Sequence, residues 1–317
     1  MKLILTFNGA QVDPAKVADV IAAAGVNTTV VVNTAQAFSV AEWVSVKSAA
    51  GNKSLSAIFD AFPTPLSLMK SYFSNSGSKT SASMYKTQVW SSNDLVSLAT
   101  AVGSKQLSAD FNAFQSMLST IQPFLTAAGA NTRTSMNTSQ TWSASDLVTL
   151  TNAAGSKLLS VDFNGAQSML SIVKPFVIAA GANTSTSMNT SQTWSSNDLV
   201  ELANAAGNKQ LSLDFNGAQS MLSTVKPFVT AAGANTRTSM NTSQTWSSSD
   251  LIALANAAGN KHLSVDFNGA QSMLSTIQPF ASAAGANTTV SVNTAQTWSH
   301  QRFNSSCRYC RVRHHQR

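Results

Sequence analysis

Two hydrophobic rhythms follow one another along this chain, and each predicts an element. Leu211, Leu213 and Phe215 point one way while Ser212 and Asp214 point the other, the period of a half-buried strand. Val225, Phe228, Val229 and Ala232 then recur at helical spacing. The next stretch repeats the sequence of events with Leu251, Leu254, Ala255 and Ala258 as its helical stripe. That second helix carries its own punctuation. Ser247 with Asp250 three residues on predicts a capping box, and Gly259 suits a left-handed C′ position. Lys209 and Lys261, just past such glycines, are expected near the negative end of the helix dipole. In the other helix type, Pro123, Pro175, Pro227 and Pro279 fall inside the pattern. Each is expected to shorten or kink its helix, or to restart it at its own first turn.

The units recur at a fixed interval. Gly25, Gly51, Gly77, Gly103, Gly129, Gly155, Gly181, Gly207, Gly233, Gly259 and Gly285 are each separated by 26 residues. Consecutive units differ, so the full repeat is 52 residues, marked by Trp90, Trp142, Trp194, Trp246 and Trp298. A period of this size implies stacked units that cannot bury a core alone. The expected fold is therefore α/β: a solenoid of strand-helix units with a parallel sheet on one face and helices on the other. Residues 1–103 read as diverged N-terminal repeats including a cap, and 104–298 as near-identical double repeats. Residues 299–317 read as a basic, disordered tail.

Leu211, Leu213 and Asn216 resemble the core of a leucine-rich repeat, as do Leu159, Val161 and Asn164, and Leu263, Val265 and Asn268. The unit length is also within the range of that family. The resemblance covers about residues 1–298 and implies the architecture. Two departures stand out. Alternate units carry Thr236 and Thr238 in place of leucine, and the residue before Asn is large and apolar, as at Phe215, Met240 and Val292. If alternation runs through that residue, the Asn faces outward and forms no internal ladder.

Composition narrows what such an array can do. The 317 residues are 43% hydrophobic and only 10% charged, so Ser, Thr, Asn and Gln supply the polar surface. The formal net charge is +7, but Arg302, Arg308, Arg311, Arg313 and Arg317 contribute five of those charges within the last 19 residues. The array itself is about +2 and lacks the basic field of a nucleic-acid binder. No stretch approaches the roughly 20 apolar residues of a membrane span. Met1 runs directly into the first predicted strand, which leaves no room for a signal peptide. A cytoplasmic protein, or one exported without a cleavable signal, is expected.

The outward strand positions are the natural place for function. Asp110, Asp162, Asp214 and Asp266 recur there in alternate units, with Ser135, Ser187, Ser239 and Ser291 between them and Arg133 and Arg237 nearby. Strands about 4.8 Å apart put successive aspartates about 9.6 Å from one another. That is too far to share a metal ion, and a row of identical carboxylates has no differentiated acid and base. The expectation is a non-enzymatic, effector-like scaffold with no cofactor or metal, whose sheet face binds a protein. The partner-binding candidates are Asp110, Arg133, Asp162, Ser187, Asp214, Arg237, Ser239 and Asp266. On the bland reading the same face is merely solvated, with the arginines paired diagonally to the aspartates.

Two other functions have a basis in the sequence. Rows such as Thr236, Thr238 and Thr242 would bind a repetitive polysaccharide or ice-like surface if they faced outward on a flat sheet. Nucleic-acid binding would rest on the tail, where Cys307, Cys310, His314 and His315 also offer a weak metal-knuckle pattern. The composition of the tail breaks in mid-repeat, as a shift of reading frame would produce. An exposed terminal strand would invite end-to-end self-association. The tryptophans are expected in the core, and Gln115, Gln140, Gln167, Gln192, Gln219, Gln244, Gln271 and Gln296 in structural turns.

Overall fold

The computed structural model describes residues 3–60, 64–74, 76–84, 90–111, 117–137, 142–163, 169–189, 194–215, 221–241, 246–268 and 274–293. Twelve strands run parallel in sequential order: β1 (Leu3–Asn8), β2 (Thr28–Asn33), β3 (Ser54–Phe59), β4 (Thr80–Met84), β5 (Gln106–Phe111), β6 (Thr132–Asn137), β7 (Leu158–Phe163), β8 (Thr184–Asn189), β9 (Gln210–Phe215), β10 (Thr236–Asn241), β11 (His262–Asn268) and β12 (Thr288–Asn293). Between them lie α1 (Pro14–Ala23), α2 (Val40–Ala50), α3 (Leu66–Phe73), α4 (Ser92–Val102), α5 (Leu118–Ala127), α6 (Ala144–Ala154), α7 (Leu170–Ala179), α8 (Ser196–Ala206), α9 (Leu222–Ala231), α10 (Ser248–Ala258) and α11 (Leu274–Ala283). The fold is the expected α/β repeat solenoid, one strand and one helix per unit. Packing divides the chain into two compact bodies: Met1–Gln140 with Thr149–Ser160, and Thr141–Val148 with Val161–Arg317.

Alternation decides which side chains enter the core. In β9, Leu211, Leu213 and Phe215 are buried, whereas Ser212 and Asp214 are half-buried on the opposite face. At the end of the odd strands an inward phenylalanine meets the one that follows the helix proline. Phe163 stands against Phe176 with ring centroids 5.2 Å apart, and Phe215 against Phe228 at 5.5 Å. The diverged N-terminal repeats use a larger aromatic cluster instead. Trp43 lies edge-on to Tyr72 at 4.8 Å and donates its indole N–H to the Ala35 carbonyl. Buried Tyr72 donates its hydroxyl to the Ser81 carbonyl at 2.8 Å, and burial pushes its pKa well up.

The even strands begin with a buried threonine: Thr28, Thr80, Thr132, Thr184, Thr236 and Thr288. Thr134, Thr186 and Thr238 are buried two residues further on. The threonine rows therefore face the helices, which removes the polysaccharide or ice-like reading for Thr236 and Thr238. A residue paired with the strand interior, like Thr236 beside Leu211, has no outward option once the register is set. Thr242 lies outside the described residues. Asn8 and Asn33 fall on the outward alternation of β1 and β2, so these positions form no internal asparagine ladder.

The glycine interval has two different physical causes. Gly51, Gly103, Gly155, Gly207 and Gly259 close helices at φ between +51° and +57°. Their ψ is near −116° at Gly259 and −117° at Gly207, so they are not in the left-handed helical region expected at C′. Instead each is the first central residue of a II′-type turn, in which Lys209 N–H donates to the Ala206 carbonyl and Lys261 N–H to that of Ala258. Gly129, Gly233 and Gly285 are needed for space. A Cβ on them would stand 2.0, 1.7 and 1.7 Å from the carbonyl oxygens of Gly103, Gly207 and Gly259. Asn131, Asn235 and Asn287 add a bond at the same junctions, donating to Ser104, Asn208 and Asn260 carbonyls at 2.7 Å.

Lys157, Lys209 and Lys261 tie units together, not their own helices. Lys209 donates to the Val177 and Ile178 carbonyls at the end of α7, and Lys261 to those of Val229 and Thr230 at the end of α9. Lys157 does the same for Leu125 and Thr126 of α5. The dipole argument holds, but for the helix one unit earlier. Partial burial holds the Lys157 and Lys261 pKa values below the ordinary 10.5. Capping boxes form as expected at Ser91–Asp94, Ser195–Asp198 and Ser247–Asp250. The prolines do not restart their helices. Pro123, Pro175 and Pro227 each sit inside a ten-residue helix that began five residues earlier.

Candidate functional site

The outer sheet face is positioned by strand register. Leu211 pairs with Thr236 and Arg237 with His262, so each step across the sheet spans 25 residues, one fewer than the glycine interval. Equivalent positions therefore climb one residue, about 3.3 Å, per strand. Within the second body this moves the aspartates apart. From Asp214 the register runs through Ser239 to Ser264, and Asp266 lies two residues beyond. Two strand spacings and two residues of rise place the Asp214 and Asp266 backbones about 12 Å apart, not the 9.6 Å of a level row.

The same register gives each aspartate defined neighbours. Asp214 stands between Asn189 and Ser239, and Asp266 between Asn241 and Ser291. In the first body Asp110 stands beside Ser135. Ser187 is in register with Ser212. Asp110, Asp162, Asp214, Asp266, Ser187 and Ser239 are half-buried, while Arg133 and Arg237 are exposed. Arg133 pairs in register with Ser108, and Arg237 with Ser212 and His262. Among the described residues an ion pair joins Lys174 and Glu201 at 2.7 Å, between helices.

The structure thus gathers Asp214, Arg237, Ser239 and Asp266 onto neighbouring strands of one face, with Ser187 beside β9 in the same body. Asp110 and Arg133 form the corresponding pair in the first body. The asparagines that flank the aspartates were not among the sequence candidates. Their signal was present: the first inward residue of one strand type lies three residues after its glycine, at Thr236, and of the other type four, at Leu211. That difference of one residue matches the 25-residue register step against a 26-residue repeat. Trp142, Trp194 and Trp246 are buried, at 5%, 5% and 6% exposure, so they supply packing and not an exposed indole row. Large apolar side chains do emerge elsewhere, at Met117, Met169 and Met221 before α5, α7 and α9.

Among the described residues no cluster of three or more His, Cys, Asp or Glu could hold a metal ion, and no helix is long and apolar enough to cross a membrane. The eight recurring glutamines from Gln115 to Gln296, Trp298, and the tail with Cys307, Cys310, His314 and His315 lie outside the described residues.

Neither a protein-family description nor a curated protein sequence matches the chain. Among solved structures, a chain in the crystal structure of the Rad7 and Elc1 complex in yeast superposes with a TM-score of 0.57 and 13% identity, covering 94% of this chain and 79% of that one. Two enzymes match with a TM-score of 0.27: a truncated 3-deoxy-D-arabino-heptulosonate 7-phosphate synthase from Thermotoga maritima and a sialic acid aldolase from Ruminococcus gnavus. Their identities are 12% and 14%, over 59% and 66% of this chain and 74% and 67% of theirs. Scores that low carry no argument. The first likeness shows the fold: a repeat solenoid of strand-helix units around one parallel sheet.

Proposed function

We propose that this chain is a non-enzymatic, leucine-rich-repeat-like scaffold that binds a protein partner through the outer face of its sheet. The observation that carries the reading is the repeated polar row on that face, in which Asp214 and Asp266 each stand between an asparagine and a serine on adjacent strands. These positions are spread over neighbouring rungs and suit recognition along an extended surface. A spacing of about 12 Å separates the carboxylates too far for paired acid-base work. The matched chain of like fold was crystallised in a complex of two proteins, which is consistent with this use of the architecture.

The test is an affinity measurement with a captured protein partner. Replacing Asp162, Asp214 and Asp266 together with Ala is expected to weaken binding at least tenfold while the unfolding midpoint stays unchanged. Glu201→Ala on the helix side serves as the control and should leave affinity intact. Equal affinity of the triple variant and the unsubstituted chain would remove the partner from this face.

A further inference from the structure

Strand β1 has the sequence of an interior rung and stands at an edge of the sheet. Leu3, Leu5 and Phe7, followed by Asn8-Gly9-Ala10-Gln11, repeat the pattern of Leu211, Leu213 and Phe215 with Asn216-Gly217-Ala218-Gln219. In β9, which has β8 and β10 on its two sides, Leu211 is 2% exposed and Leu213 and Phe215 are fully buried. In β1, Leu3 is 40% exposed and Ile4 59%, while Leu5 and Phe7 are only half-buried. Val20 and Val26 of the same unit are exposed as well. A solenoid is ordinarily closed by a polar outer unit, whereas an apolar edge strand is a template for another strand.

The array itself specifies which kind of strand fits there. Odd strands follow even ones, and the even strand at the opposite edge of the sheet is β12. Its sequence, Thr288-Thr289-Val290-Ser291-Val292-Asn293, differs at one position from β2, Thr28-Thr29-Val30-Val31-Val32-Asn33. Strand β2 accepts the odd strand β3 with Val30 beside Leu55, and β10 accepts β11 with Thr238 beside Leu263. Leu55 and Leu263 are the equivalents of Leu3, and Val30 and Thr238 those of Val290. Both junctions therefore give one register for β12 against β1: Val290 beside Leu3, Ser291 beside Ile4 and Val292 beside Leu5. Val292 is half-buried, where its equivalent Met240 is 2% exposed. Among the described residues no strand pairs with the outer edge of β1 or of β12.

We propose that β12 of one copy adds to the free edge of β1 of a second copy, parallel and in that register, so that odd and even strands continue to alternate from chain to chain. Main-chain hydrogen bonds supply the affinity, and the alternating side chains fix the register. The contact is heterologous, each copy offering one edge and accepting at the other, so it builds rings or filaments and not symmetric pairs. The inference concerns strand edges and is independent of the partner assigned to the outer face.

The experiment uses the full chain. Its mass is followed by sedimentation equilibrium over about a hundredfold range of concentration, and should rise with concentration. Ile4 and Ser291 are both exposed, so both positions accept charge, and lysine is chosen at position 291 because Asp266 stands beside it in register. The variant Ile4→Lys/Ser291→Lys sets like charges opposite one another across the contact, and Ile4→Glu/Ser291→Lys sets unlike ones. In about 10 mM salt the first should dissociate at about tenfold higher concentration than the second, and about 1 M salt should remove the difference. A second readout identifies the copies. Light and heavy-isotope chains carrying Ile4→Cys/Ser291→Cys, with Cys307→Ser and Cys310→Ser to remove the native thiols, are mixed dilute, concentrated and joined by a short bis-thiol reagent. Mass spectrometry should find links from position 4 to position 291 between light and heavy chains. A chain that stays monomeric over the whole range, or equal dissociation of the two charge variants in low salt, would overturn the proposal. Links confined to chains of one isotope would overturn it too, by placing β12 on β1 of its own chain.

Discussion

Substituting the two kinds of glycine separates the two causes of the 26-residue interval. In Gly233→Ala the new methyl would stand 1.7 Å from the Gly207 oxygen and 2.6 Å from its carbonyl carbon. An ordinary carbon–oxygen contact is about 3.2 to 3.4 Å, so the two units must separate locally by about 1.5 Å, a third of the strand spacing. That separation reaches the Asn235 bond to the Asn208 carbonyl, 2.7 Å long, worth about 1 kcal/mol. It also disturbs the packing beside it, so the total cost should reach about 3 to 5 kcal/mol, the range of severe core changes. In Gly259→Ala nothing lies within 4 Å of the added methyl, and the cost is strain at φ +52° alone. Such strain amounts to about 1 to 3 kcal/mol. Urea unfolding of the two variants, read as midpoints with m checked for constancy, measures the difference. A Gly233→Ala variant as stable as Gly259→Ala would refute the assignment of crowding to one class and conformation to the other.

Three further outcomes follow from particular contacts. Thr236→Val should raise stability by up to about 1 kcal/mol in the same urea assay, because the Thr236 hydroxyl is buried without a hydrogen-bond partner and valine has its shape. Ser247→Ala should lower it by about 1 kcal/mol through loss of the cap on the Asp250 N–H. Lys261→Met should cost about 1 kcal/mol near neutral pH, by removing two bonds to the end of α9. Its pH dependence has a defined sign. Because burial lowers the Lys261 pKa in the folded chain, the unfolded chain binds the proton more tightly, and folding is penalised while the lysine is charged. Stability of the unsubstituted chain relative to Lys261→Met should therefore rise as pH climbs from the lowered pKa to about 10.5. A difference that falls over that window contradicts the assignment.

Strand, helix and cap were legible because each depends on neighbours within a few residues. Leu211, Leu213 and Phe215 announce a strand without reference to the next unit, and Ser247 with Asp250 needs only its own helix. What spans units was not legible in the same way. Lys209 looked like a partner for α8, since that helix ends beside it, yet its side chain reaches back to α7. The spacing of Asp214 and Asp266 does not follow from the repeat length for a related reason. A repeat length gives the distance between equivalent positions along the chain, whereas register gives their offset across the sheet, and the two differ by one residue per strand. The threonine rows failed as a surface because Thr236 and Thr238 fit the inward alternation as well as leucine does, and polarity alone does not set the side of a strand.

The same contacts explain why the repeat is 52 residues and not 26. One unit type contributes the turn whose glycine carbonyl projects, as at Gly207, and the next contributes the bare glycine that accepts that approach, as at Gly233. The second type adds Asn235, which closes the junction on Asn208, and the first type supplies Lys261, which closes the following one on α9. Two identical units could not do this, since a turn glycine at positive φ and a crowded glycine in open strand-entry geometry ask for different surroundings. The one-residue climb per strand reinforces the pairing. Side chains reverse faces with every residue, so a single 26-residue step carried on a 25-residue register would bring a core position opposite a surface one. The first inward residues, Thr236 three past its glycine and Leu211 four past its own, cancel that reversal, and only a second unit restores the phase.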